Sequence, residues 1–325
     1  SLLELCEAYL TYVPSSTFLG EVADISLFDH VKITAGLAAC MVLYLQAAGR
    51  IDYRRELFDN RKQFYQEKAF CLFSCDISGV QPFIYTISSK GALKGLRARS
   101  FYLEVMLENL MDEILDDCCL YRTNLIYSGG AHAYLLLANT EEVKAKARKA
   151  VEAANHQLMQ WFGAKLYIAY ALQECSADEL MSKTPDPEAY SNLFRSLSAQ
   201  ISQQKLRRYN ADQLRCLNSE STDKEGRECK ICGISSNLEE RGEDIVCATC
   251  AALKDISGML IKADSVFAVV KQKNSGPALP LFTAQGNPLY FQAFRAEEVK
   301  KLLQQRPEQV KRVYSKNTFR TGLTL

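Results

Sequence analysis

Two cysteine pairs at a fixed spacing constrain this chain more than any other feature. Cys229-x2-Cys232 is followed, after fourteen residues, by Cys247-x2-Cys250. Each pair sets two thiolates on one tight turn, and a linker of this length lets the pairs close a tetrahedron around Zn²⁺, although it is about one residue shorter than the usual range. Gly233 after the first pair, and the polar residues between the pairs, argue against four buried free thiols. A redox dithiol would need one pair, and neither follows a strand in a thioredoxin-like unit. With sulfur at all four positions the metal has no open site, so its expected role is structural.

The other cysteines set the compartment. There are 12 in 325 residues, most in apolar runs of a long chain without a visible secretory leader, which points to a reducing cytoplasm rather than a disulfide scaffold. A chain 48% hydrophobic and 24% charged can bury a core and divide into two or three domains. The net charge of +1 exerts no global pull on nucleic acid, so such binding would rest on a local patch. The longest apolar stretch, Ile33 to Ala48, falls short of the roughly 18 to 20 residues that span a bilayer. It reads as a buried helix, and no membrane partner is expected. The opening Ser1-Leu2-Leu3, with no Met, reads as a cut inside a larger protein.

The hydrophobic pattern gives an α+β chain with three expected parts. Residues 1–65 read as a helical segment closed by the charged run from Tyr53 to Lys68. Residues 66–175 alternate in order: a buried strand at Phe70 to Ile77, a helix over Phe101 to Cys118, and strands at Asn124 to Tyr127 and Ala133 to Ala138. A Ser128-Gly129-Gly130-Ala131-His132 hairpin joins these two strands. A helix capped by Asn139 then shows Val143, Ala147, Val151, Ala154, Leu158 and Phe162 on one face, and Lys165 to Leu172 is a last strand. That is a ferredoxin-like βαββαβ unit. Residues 176–325 read as a helical linker and the zinc-binding domain, with strands at Ser265 to Val270 and Leu289 to Phe294 and a helix near Ala296 to Gln304.

Palm domains of this shape, in cyclases and polymerases, hold two metal ions with carboxylates at the end of the first strand and in the central hairpin. Asp76 takes the first position, but the hairpin offers Ala131 and His132, so this palm is expected not to catalyse phosphoryl transfer alone. The segment Ser88 to Ser100, with Lys90, Lys94, Arg97 and Arg99, leads into a helix and suits phosphate, with a solvated helix face as the plain alternative. Asp29-His30 cannot complete a histidine–aspartate hydrolase site, because the chain holds only His30, His132 and His156. His156 and the Lys144, Lys146, Arg148, Lys149 cluster read as solvated helix faces.

Taken together, Asp24 to His30, Asp76 to Tyr85, Gly95 to Glu104, Ile126 to His132 and the two cysteine pairs occur in family order and resemble the Csm-type large subunit of type III-A CRISPR interference complexes. The resemblance implies a chain running from the end of an HD nuclease domain through a first palm and a zinc domain, stopping before a second palm with a GGDD hairpin. It implies, for the full protein, synthesis of cyclic oligoadenylates from ATP with Mg or Mn and cleavage of single-stranded DNA, both switched on by target RNA. Partners would be guide and target RNA, the small subunit and the subunit that binds the guide 5′ end. Carried onto this sequence, the nucleotide-facing residues are Asp76, Ile77, Ser78, Gly79, Gly129 and Gly130, with Lys90 and Arg97 for phosphate or subunit contact. A free-standing nucleotidyl cyclase and a zinc-ribbon RNA- or protein-binding adaptor are the alternatives.

Overall fold

The computed structural model describes residues 2–18, 20, 22, 24–86, 92–219, 227–235, 237–262, 265–283 and 286–314. Three helices come first: α1 (Leu2–Leu10), α2 (Leu27–Ala47) and α3 (Arg61–Gln66). The palm follows as β1 (Phe70–Ser78), α4 (Val80–Ile84), α5 (Ala92–Asp117), β2 (Leu125–Gly129), β3 (His132–Ala138), α6 (Glu141–Phe162) and β4 (Tyr167–Cys175). Then come α7 (Ala177–Leu180), α8 (Ala189–Lys205), α9 (Ala211–Ser219), β5 (Leu238–Arg241), β6 (Asp244–Cys247) and α10 (Ala248–Leu260). The described chain ends with β7 (Ser265–Val270), β8 (Ala278–Leu281), β9 (Leu289–Arg295), α11 (Ala296–Gln305) and β10 (Val310–Tyr314). Two compact units result, one from residues 1–78, 110–152 and 168–208, the other from 79–109, 153–167 and 209–325.

In the first unit the strands lie in the order β2-β3-β1-β4, the permutation of a ferredoxin-like sheet. The apolar run in β1 is buried on both faces because it is central, and it pairs antiparallel with β3 from Phe70↔Ala138 to Asp76↔His132. The hairpin is tighter than the five-residue turn expected from sequence. Gly129 pairs with His132, leaving Gly130 (φ +59°) and Ala131 (φ +68°) as a two-residue turn whose positive φ values match the twist of the strands.

The six residues expected on the buried face of α6 are all buried. Its cap is Thr140, whose hydroxyl accepts the Val143 amide at 3.2 Å, rather than Asn139, whose side chain reaches back to the Lys68 carbonyl at 2.6 Å. Lys144 is also not solvated as expected. It is buried and pairs with Glu141 and Glu174, the second of these on β4.

The apolar helix α2 departs further. It is long and apolar enough to cross a membrane by length and composition, yet only Phe28, Gly36, Cys40 and Leu45 are buried, so the expected buried helix is seated along one narrow face. Asn124 pins that face, donating to the carbonyls of Gly36 (3.0 Å) and Leu136 (2.9 Å). At the helix start Ser26 caps the helix, accepting the Asp29 amide and donating to the Asp29 carboxylate, so Asp29 is engaged in the cap.

In the second unit β10-β7-β9-β8 repeats the strand permutation of the first sheet, with α11 before the last strand and residues 271–277 in place of the first crossover helix. Buried Gln292 holds that loop, accepting the Asn274 amide at 3.0 Å and donating to the Asn274 carbonyl at 2.9 Å. Phe267 and Phe291 stack at 5.2 Å, and Phe101 of α5 packs against both. Sequence reading placed β7, β9 and α11 but missed β8 and β10. Pro280 disguises β8, which as an edge strand tolerates it. The carbonyls of Pro280, Phe282 and Thr283, in and just after β8, accept from Tyr102 (2.5 Å), Asn109 (2.7 Å) and Gln157 (3.1 Å).

Candidate metal centre and palm carboxylate

The four cysteines converge as their spacing requires. The first pair sits on a knuckle closed by the Gly233 amide donating to the Cys229 carbonyl (2.9 Å), with Gly233 at φ +72°. The β5–β6 hairpin returns the chain to Cys247, which ends β6 and caps α10, its sulfur accepting the Cys250 amide at 3.4 Å. All four Sγ atoms lie within 4.8 Å of one another, and Cys232 and Cys247 are 3.6 Å apart. A tetrahedral ion with Zn–S bonds of about 2.3 Å places its sulfurs roughly 3.8 Å apart, so this donor set could hold such a metal. Among the described residues no other group of three or more Cys, His, Asp or Glu side chains gathers in this way.

Electrostatics separate these thiols from the rest. Burial pushes Cys71, Cys118 and Cys175 up to about 12, so they stay protonated and inert. Within the cluster, hydrogen bonds from Cys232, Cys247 and Cys250 hold Cys229 far below the usual thiol range. Cys232, though its bond with Cys229 raises it, is brought to about 6 by Cys247 and Cys250. The Cys229, Cys232 and Cys247 neighbours push Cys250 far up. Four crowded sulfurs shed protons one against another, and a divalent cation would remove that conflict.

At the end of β1 the structure brings Asp76, Ile77 and Ser78 beside the Gly129–Gly130 hairpin, as the sequence placed them. The carboxylate is already engaged. Lys205 at the C-terminus of α8 contacts Asp76 Oδ1 at 2.8 Å, and His132 Nδ1 lies 3.2 Å from Oδ2, with His132 Nε2 at 3.0 Å from Ser74 Oγ. Burial raises the Asp76 carboxyl, but the hydrogen bonds from His132 and Lys205 outweigh it and hold the group below its usual value. Ile77 is buried and its amide is taken by the Ala131 carbonyl at 2.9 Å. Ser78 and Ser128 each keep a buried hydroxyl with no hydrogen-bond partner among the described residues.

Gly79 has its own explanation. At φ +88° it caps α4, and a Cβ there would lie 1.9 Å from the Lys165 carbonyl oxygen, so packing alone requires glycine. Around Gly130 a Cβ would meet nothing within 4 Å, and the turn stands open. Arg97 is exposed on α5, in the second unit, while Lys90 lies outside the described residues. Helix α5 starts at Ala92, so the amides from Gly95 to Ser100 belong to the helix and do not form the free helix start that the sequence implied. Sequence reasoning missed Lys205 and Ser74, and it read Arg99 as a phosphate-facing cation whereas the side chain is buried against the cysteines. Arg99 donates to Cys250 Sγ at 3.1 Å, and nothing local in the sequence ties either cation to its partner.

Comparison with known proteins places the chain in a family. The family model described as Csm1 subunit domain B matches residues 69–220. Over 99% of its length the chain is 44% identical to a CRISPR system single-strand-specific deoxyribonuclease Cas10/Csm1 (subtype III-A) of Mycobacterium tuberculosis. It spans only 40% of that relative. A solved Csm1-Csm4 cassette in complex with one ATP aligns with 91% of this chain and 34% of its own, at 26% identity and a TM-score of 0.61. A cassette in complex with cA4 aligns with 76% of this chain and 32% of its own, at 28% identity and a TM-score of 0.54.

Proposed function

This chain belongs to the Cas10/Csm1 family of subtype III-A CRISPR systems, and on that premise we propose that it is part of an effector-complex large subunit with two roles. Its palm faces ATP without catalysing phosphoryl transfer, and its four cysteines hold a structural zinc. In the full protein, target RNA paired with the guide switches on the synthesis of cyclic oligoadenylate from ATP, with Mg²⁺ or Mn²⁺, and the cleavage of single-stranded DNA. The small subunit and the subunit at the guide 5′ end are its neighbours in a cytoplasmic complex. Residues 1–65 are then the end of an HD domain, 66–175 the first palm, and 176–325 the linker and zinc domain.

The observation that carries the non-catalytic reading is the state of Asp76. Two-metal phosphoryl transfer needs carboxylates free to bridge two cations. Here one carboxylate faces Lys205 and His132, and the apex of the hairpin is Ala131. The positive charge that metal ions would bring is already supplied by side chains. Support for a nucleotide comes from a structural relative solved in complex with one ATP, and support for this edge from the open turn at Gly130. Incubation of the purified chain with ATP, GTP and Mn²⁺ should give no cyclic product, whereas the complete complex with target RNA should give one. Product from the chain alone would sink this reading in favour of a free-standing cyclase.

A further inference from the structure

The knuckle does not stand by itself in the second unit. Each cysteine pair is gripped by one cation from a distant part of the chain: Lys165, just before β4, donates to the Cys232 carbonyl, and Arg99 of α5 donates to the Cys250 sulfur at 3.1 Å. The two contacts differ in kind. Lys165 is exposed and meets a backbone oxygen, whereas Arg99 is 4% exposed and meets a candidate metal ligand.

The surroundings of Arg99 are unusual for a charge. Its guanidinium lies 4.8 Å from the centre of the Phe83 ring, and its other contact is the Phe83 carbonyl at 3.4 Å. Among the described residues it has no carboxylate partner. A buried guanidinium without a counter-charge costs several kcal/mol, and the group its geometry offers is the Cys250 sulfur, a thiolate when a metal is bound. Conversely, four thiolates around a divalent cation carry a net charge of −2, which a buried site tolerates poorly unless donors surround it. The space between these groups, lined among others by Phe83, Arg99, Lys165, Cys232, Cys247 and Cys250, amounts to about 10 Å³. That is room for no more than one water, so the site is built for packing and not to admit a ligand.

We propose that Arg99 is the outer-sphere positioning residue of the metal centre, and that through it metal occupancy and the seating of residues 92–109 of α5 rise and fall together. The inference rests on the metal reading given above. With metal bound, the sulfur fixes the guanidinium, and the guanidinium fixes the first turns of the palm's crossover helix. Without metal, nothing fixes the Cys250 sulfur against its neighbours, and the buried arginine loses the fixed partner that holds it in position. The metal site would thereby hold the basic stretch Gly95 to Ser100 in its helical form.

The test is metal release from the purified protein to an excess of chromophoric chelator. Arg99→Met should release zinc about ten- to a hundredfold faster than wild type, the usual scale for loss of an outer-sphere partner. Arg99→Lys should fall between the two, since it keeps charge but loses the planar fork, and Lys165→Met should change the rate less than Arg99→Met. In wild type, amide exchange over residues 92–103 should lose protection when metal is stripped. Wild-type release rates in a folded Arg99→Met protein would overturn the proposal. So would identical exchange of residues 92–103 with and without metal, a measurement that decides the matter even if Arg99→Met fails to fold. Absence of metal from wild type, read by elemental analysis, would bring down the metal reading itself and the proposal with it.

Discussion

Ala131 shows at one residue how the hairpin was fitted to its place. An L-residue in the left-handed region costs about 1–2 kcal/mol, and Ala131 accepts this at φ +68° while its carbonyl takes the Ile77 amide. Ala131→Gly should relieve the strain, partly offset by the greater freedom of glycine in the unfolded chain, up to about 1 kcal/mol. A net gain of about 0.5 kcal/mol is expected as a higher urea midpoint, and a lower midpoint would show that the Ala131 methyl packs better than its strain costs. Gly79→Ala, where a Cβ meets the Lys165 carbonyl, should destabilise by roughly 3 kcal/mol. Asp76 makes a different prediction. Its carboxyl titrates below its usual value, so its contribution to stability is fully present above the unfolded pKa, about 3.9, and is lost as pH falls through the lower folded value. Wild type should therefore exceed Asp76→Asn in stability by a constant amount above about pH 5, with the two curves converging below about pH 4 in pH-dependent urea melts. The position of Asp76 at a strand end was legible in the sequence. Its partner Lys205 was not, because only the return of α8 over the sheet brings it near.

Elements were legible where they repeat a period and illegible where they depend on neighbours. The buried face of α6 follows from its apolar spacing, whereas α2 carries apolar residues all round and is seated on one side only, so its pattern could not say which side. The answer lies in Asn124, a polar residue with no periodic signal, whose amide closes hydrogen bonds to two carbonyls and approaches Cys40 Sγ at 3.2 Å. Asn124→Ala should remove one hydrogen bond from each carbonyl and cost roughly 1–3 kcal/mol, with amide exchange in α2 accelerated more than in α6. Equal acceleration in both helices would mean that Asn124 stabilises the sheet in general and does not specifically anchor α2. The Thr140 cap teaches the same lesson on a smaller scale: either of two adjacent polar residues could cap, and the Lys68 carbonyl decided by taking Asn139.

At the scale of the chain, cysteine spacing forecasts one centre and carboxylate spacing forecasts the lack of another, and together they predict a single metal ion. Two sheets share the same strand permutation, yet in one a seven-residue loop, polar and bearing Asn274, Ser275, Gly276 and Pro277, takes the place of a crossover helix, and buried Gln292, invisible as a motif, holds it. What a permutation does not decide, charge does. At the cysteines, four sulfurs crowd within 4.8 Å in a set that suits a cation, whereas at Asp76 an ammonium and an imidazole already stand at the carboxylate. The purified protein should therefore carry one tightly held zinc and take up no Mn²⁺ at submillimolar concentration, measured by elemental analysis and by the loss of free Mn²⁺ signal in electron paramagnetic resonance. Replacing Ala131 and His132 with Asp should still fail to recruit Mn²⁺ while Lys205 remains, because its ammonium occupies the Asp76 oxygen that would face the metal. Adding Lys205→Ala to those changes should restore uptake. If Mn²⁺ bound without that last substitution, Lys205 would be a surface pair of little consequence, and the vacant hairpin alone would account for a silent palm.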